Sequence, residues 1–197
     1  MKQAGEFLKP KNLALVAGTA ALYFLGAKLG LSLAFINASV SPVWPATGIA
    51  IALVLWFGYR ALPGVLIGAL IANYTLTNVS LLTALGISLG NSLEAFTAVY
   101  LLQRQVRHRN PFHRAIDVLK FVGYAAILST AIAATVGNIT LCLSGNEQWA
   151  TFGWLWFTWW LGDAVGALVV TPLILSWLDK SFERWQEIGR ASCRERV

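Results

Sequence analysis

Three ionisable side chains interrupt long apolar stretches of this chain: Lys28, Glu94 and Asp163. A charge at the centre of a bilayer costs about 2.5–3.5 kcal/mol on insertion scales, so an acid kept there faces a partner, a cavity or a proton path. Glu94 continues a stripe of small residues, Gly86, Gly90, Glu94 and Ala98, at four-residue spacing. On a helix these positions share one face, which aims Glu94 at a neighbouring helix. Asp163 stands between Gly162 and Gly166 and points inward by the same reasoning. Either acid can lock two helices together or carry a ligand or proton, and the residues leave both open. Lys28 lies about 200° around the helix from Gly26, off the close-packing face, and fits snorkelling to the outer surface.

The remaining polar groups inside apolar runs are Asn73, Asn91, Asn138, Thr47 and Thr171, residue types that mostly join helices through hydrogen bonds. Pro172 removes one helical hydrogen bond and predicts a kink, through packing or as a hinge. No phosphate-cradling loop, zinc-binding histidine pair or serine nucleophile elbow occurs in the sequence. His108 and His113 sit in an arginine-rich connection, the setting of solvated histidines, and Cys142 and Cys193 fit no metal or disulfide spacing. No catalytic residue, metal or cofactor is therefore expected, and the chain reads as a non-enzyme.

The elements that hold these groups follow from composition. Of 197 residues, 57% are hydrophobic and 12% charged, against roughly 25% charged in a soluble domain. That balance predicts an all-α integral membrane protein in contact with the lipid bilayer. Its first apolar run, 13–36, is too long for a signal peptide and lacks a clean cleavage site. Segments of adequate length fall at 13–36, 45–59, 63–79, 81–102, 116–143 and 151–178, predicting a polytopic bundle of about six transmembrane helices. Lys2, Lys9, Lys11, Arg60, Arg104, Arg107, Arg109 and Arg114 occupy the arm and alternate connections, whereas those near 37–44, 80 and 144–150 hold no Lys or Arg. Both termini are accordingly predicted in the cytoplasm. The net charge of +6 then has a topological origin and does not point to nucleic acid. The expected organisation is a cytoplasmic arm at 1–12, a membrane domain at 13–178 and a tail at 179–197.

Four glycine pairs, Gly26/Gly30, Gly64/Gly68, Gly86/Gly90 and Gly162/Gly166, predict close helix crossings. At 111–120, Phe112, Ile116 and Leu119 can share an interfacial face. Trp149, Trp154 and Trp156 fit an aromatic belt, with Trp159 and Trp160 too deep for one. The segment SPVWPATG, 41–48, introduces a short span: from Pro45 to Arg60 there is room for about 22 Å of helix, several ångströms less than a crossing. The shortfall recesses the segment, making Trp44 either the wall of an outward-opening cavity or an interface anchor over thinned bilayer.

The run VSPVWPATGIAIALVLWFGYRALPGVLIGALIANY, 40–74, and the later WWLGDAVGALVVTPLILSW, 159–177, resemble the first class of membrane-associated sensor domains, the MASE type 1 family. The combination of Trp-Pro-Ala-Thr-Gly, Gly-Tyr-Arg, a Pro-Gly helix start and Trp-Leu-Gly-Asp with Thr-Pro carries the resemblance, over about residues 10–178. It implies a multi-pass sensory input module of the bacterial inner membrane. Such modules precede a cytoplasmic histidine kinase, diguanylate cyclase or cyclic-di-GMP phosphodiesterase and commonly dimerise with that effector. The signal, a small molecule or a state of the membrane, is expected at Trp44, Pro45, Thr47, Asn73, Glu94, Trp160 and Asp163. The family resemblance also implies about eight spans against six here, and EIGRASCRERV, 187–197, reads as non-native read-through. The competing expectation is a small secondary transporter or part of one, suggested by Glu94, Asp163 and a broken helix.

Overall fold

The computed structural model describes residues 10–32, 43–77, 79–106 and 111–194. Ser41 and Pro42, the end of the first apolar run, the arm to residue 9 and the Arg107 to Arg109 stretch with His108 lie outside the described residues.

Each apolar segment is a helix: α1 at Pro10–Ser32, α2 at Pro45–Phe57, α3 at Leu62–Leu76, α4 at Leu81–Gln105, α5 at Ala115–Leu143 and α6 at Phe152–Arg194. Among the described residues there is no strand. Four helices are long and apolar enough to cross a membrane: α1, α4, α5 and the Trp149–Asp179 stretch that includes most of α6. Helices α2 and α3 have 13 and 15 residues, about 20 and 22 Å at 1.5 Å each. Neither spans ~30 Å of hydrocarbon alone.

Local chemistry sets these ends. Pro45 occupies the first turn of α2, where a missing N–H costs nothing, and Trp44 before it is non-helical. At the other end Gly58 takes φ +77° with ψ −174°, a conformation open essentially to glycine alone, and its N–H bonds Val54 O at 2.9 Å. Ser80 caps α4, its hydroxyl accepting the Thr83 N–H at 3.2 Å. Within α5 one widened stretch, Val122–Leu128, is π-helical. There Ser129 and Thr130 turn their hydroxyls back on the Ala125 and Ala126 carbonyls, both at 2.7 Å.

Helix α2 is the centre of the bundle. Nine of its 13 residues are buried, as expected of a short helix apolar on every side. Helices α1, α4 and α6 surround it, and the outer contacts run α1 to α3, α3 to α4, α4 to α5 and α5 to α6. The glycine pairs lie at these crossings: Gly26 and Gly30 against α2, Gly64 and Gly68 against α1, Gly86 and Gly90 against α5, and Gly166 against α2. Closest is the crossing of α2 and α6, where a Cβ on Gly48 would collide with the Gly166 carbonyl and one on Gly166 with the Trp44 carbonyl. Lipid is as apolar as leucine, so such backbone approach and interhelical hydrogen bonds hold helices together in a membrane.

Two expectations need correction. In the 111–120 stretch, Ile116 and Leu119 are exposed, but Phe112 packs edge-on against the buried Phe121 with ring centroids 4.9 Å apart. The break between Pro111–His113 and α5 rotates Phe112 off the face it would share on a continuous helix. Among the tryptophans, Trp149 and Trp154 are 58% and 65% exposed, as a belt requires. Trp156, however, donates its indole N–H to Thr135 Oγ1 at 2.9 Å, which ties it to α5. Trp159 lies deeper, packed where Gly137 leaves room on α5.

Candidate functional site

Polar side chains from α1, α2, α4 and α6 meet around the first turn of α2. Tyr23, Thr47, Asn91, Glu94 and Asp163 are all at most 4% exposed. Bulk solvent does not reach them, and an unpaired polar atom there is costly. The Thr47 hydroxyl lies 2.6 Å from Asp163 Oδ1 and 3.4 Å from Glu94 Oε2. One hydroxyl therefore stands between two carboxyl groups from different helices. Beside it the Trp44 backbone N–H donates to Gly162 O at 2.9 Å, and Thr171 Oγ1 donates to Gly48 O at 3.0 Å. Three hydrogen bonds therefore fasten the start of α2 to α6.

Each placement has a local cause. Pro45 starts the helix, so Thr47 falls in its first turn, at the positive end of the helix dipole, which favours nearby carboxylates. Gly162 and Gly166 let α6 come close enough for Asp163, between them, to reach across. Glu94 follows Gly86 and Gly90, but the stripe divides: the glycines face Thr140 and Val136 of α5, while Glu94 meets Thr47.

Several of these atoms lack a partner. Glu94 Oε1, Asp163 Oδ2, Asn91 Oδ1, the Tyr23 hydroxyl and Trp44 Nε1 are buried without a hydrogen bond. The Tyr23 hydroxyl lies beside Trp44 and Asn91 and within electrostatic reach of both acids, yet meets none at hydrogen-bond geometry. Among the described residues no Lys, Arg or His offsets either carboxyl, and no group of three His, Cys, Asp or Glu residues could hold a metal.

Of the seven positions singled out in the sequence, the structure gathers Trp44, Thr47, Glu94 and Asp163. Among the described residues they close on one another around the Thr47 hydroxyl. Pro45 packs beside them against Gly30. Asn73 is buried on α3, its amide donating to Ala69 O of its own helix at 2.8 Å. Trp160 donates its indole N–H to Ile127 O, a carbonyl of the widened turn in α5, at 3.0 Å. Tyr23 and Asn91 complete the cluster without having been assigned to it. Both carried a signal: Tyr23 shares a face with Gly26 and Gly30, and Asn91 precedes Glu94 by one helical turn.

A helical membrane domain with an acidic polar centre is the class that fold and site define. The MASE1 family model matches residues 15–195, and the chain belongs to this family of membrane sensory domains. No curated protein and no solved structure matches it.

Proposed function

We propose that the chain is a sensory input domain of the bacterial inner membrane, crossing it with six helical segments and keeping both termini in the cytoplasm. The signal acts on the cluster around Thr47, and α6 carries the response to a cytoplasmic effector, a histidine kinase, diguanylate cyclase or phosphodiesterase. The domain itself catalyses nothing, and dimerisation goes with the effector. One observation supports this reading above the others. The helix that supplies Asp163 to the cluster continues through Pro172 to beyond Asp179, so a change at Asp163 has a direct helical route toward the segment that follows. A signal shifts output only by favouring one of two packings, and a bond between α2 and α6 that can open supplies the second. The test is output from a chain carrying its effector. Thr47→Val and Asp163→Asn should change it severalfold at equal membrane abundance, and unchanged output from both would refute the assignment.

A transporter is the second reading, favoured by two buried carboxyl groups at the end of a short helix. The segments 44–47 and 160–163, each a Trp followed three residues later by a polar side chain, even meet through Thr47 and Asp163. Their tryptophans do not correspond, since Trp160 bonds α5 instead. Substrate uptake into proteoliposomes would support this reading, and its absence together with effector control would exclude it.

A further inference from the structure

We propose that Glu94 and Asp163 together bind one exchangeable proton, and that this proton keeps α4 and α6 together at the start of α2. The idea rests on the sensory reading for its purpose but not for its chemistry. Donors in the cluster are fewer than acceptors. Thr47 has a single hydroxyl proton, and its short contact, 2.6 Å, is with Asp163 Oδ1. Its 3.4 Å approach to Glu94 Oε2 is then a weak second contact of the same hydrogen. The Trp44 N–H lies beside the Tyr23 oxygen, so the Tyr23 O–H is the one further donor in the cluster. Three unpaired acceptors, Asn91 Oδ1, Glu94 Oε1 and Asp163 Oδ2, face that single donor, so at least one carboxyl oxygen is left without any.

One proton closes the account. Placed on one carboxyl, it turns an unpaired acceptor into a donor, and the charge of the pair falls from −2 to −1. The groups around the pair supply no substitute. Tyr23 from α1 is the titratable side chain facing it, α2 offers the neutral Thr47, α4 adds the neutral Asn91, and α6 brings nothing charged besides Asp163. Among the described residues, neither α3 nor α5 brings a charged group to either carboxyl. Releasing the proton leaves two like charges close together in a site buried from bulk solvent. The repulsion pushes Glu94 and Asp163 apart, and α6 moves with Asp163.

Infrared difference spectra of the purified chain in lipid nanodiscs, titrated in pH, test this. The expected result is one titrating carboxylic-acid carbonyl band, shifted in heavy water and lost in both Glu94→Gln and Asp163→Asn. Loss from either single change marks a shared proton, because a neutral amide removes the like charge that makes the remaining carboxyl hold one. Thr47→Ser should keep the band. No titrating band, or a band surviving both amide variants that still melt as cooperatively as the wild type, would overturn the proposal. So would displacement of the band by sodium but not choline at fixed pH, which would identify a metal cation as the occupant. These spectra need no effector, so a failed proton site and a failed sensory reading give separate results.

Discussion

Thr47 and Asp163, 116 residues apart in the chain, are joined by a hydrogen bond of 2.6 Å in the middle of the bundle. The bond pairs a short, largely buried helix with the one that extends farthest. Replacing Thr47 with Val keeps the shape but leaves Asp163 Oδ1 without its donor, at a cost of about 1–3 kcal/mol. Replacing it with Ser keeps the donor and should cost much less. Thermal unfolding in detergent, followed for both variants, distinguishes the hydroxyl from its methyl neighbour.

The crossing of α2 and α6 should tolerate no added carbon. Gly166→Ala sets a methyl against the Trp44 carbonyl and Gly48→Ala sets one against the Gly166 carbonyl. Backbone cannot move aside as a side chain does, so a loss of about 1–3 kcal/mol or more is expected for each. Gly153 on the same helix has open space around it, and Gly153→Ala should be neutral or slightly stabilising. Equal melting temperatures for Gly153→Ala and Gly166→Ala would contradict the close crossing.

Gly58 ends α2 with φ at +77°. An alanine there has space but the wrong backbone preference, costing about 1–3 kcal/mol. Asparagine tolerates positive φ only with positive ψ, and ψ here is −174°, so it should lose as much as alanine. Measuring both separates backbone strain from packing.

Trp160 grips the widened turn of α5 through Ile127 O and stacks on Trp156 at 6.0 Å between ring centroids. Trp160→Phe retains an aromatic ring and removes the N–H, so about 0.5–1.5 kcal/mol should be lost. The effect should fall on the contact between α5 and α6 and be visible as faster amide exchange in Val122–Leu128. Unchanged exchange there would mean that the turn is held by its own helix.

The proposed orientation can be read by labelling. Asn146 lies in the exposed turn after α5 and Gln103 near the end of α4, both exposed. In intact cells a membrane-impermeant maleimide should label Asn146→Cys and spare Gln103→Cys. Native Cys142, buried at 6% exposure, should add little background. The reverse pattern would invert the topology.

Much of this architecture was legible in the chain because membrane helices announce themselves locally. Apolar length marks the segments, Pro45 marks the start of α2, and glycines four apart mark faces that approach a neighbour; each signal depends on residues within a few turns. The inward aim of Glu94 and Asp163 was readable for the same reason, since insertion energy forbids a lone acid facing lipid. What the sequence could not contain was the identity of each neighbour. Gly86, Gly90 and Glu94 form one stripe, yet two helices share it, because short α2 covers only part of the length of α4. Asn73 and Trp160 had residue types suited to the cluster, but a helical amide can turn to the carbonyl four residues back and an indole can reach a widened turn, so both were satisfied elsewhere. Tyr23 and Asn91 joined the site through the packing of α1 and α4 around α2. Which polar atoms remain unpaired is decided by distances between helices far apart in the chain. The tertiary structure alone sets those distances, and so it alone reveals the two carboxyl groups with a single hydroxyl between them.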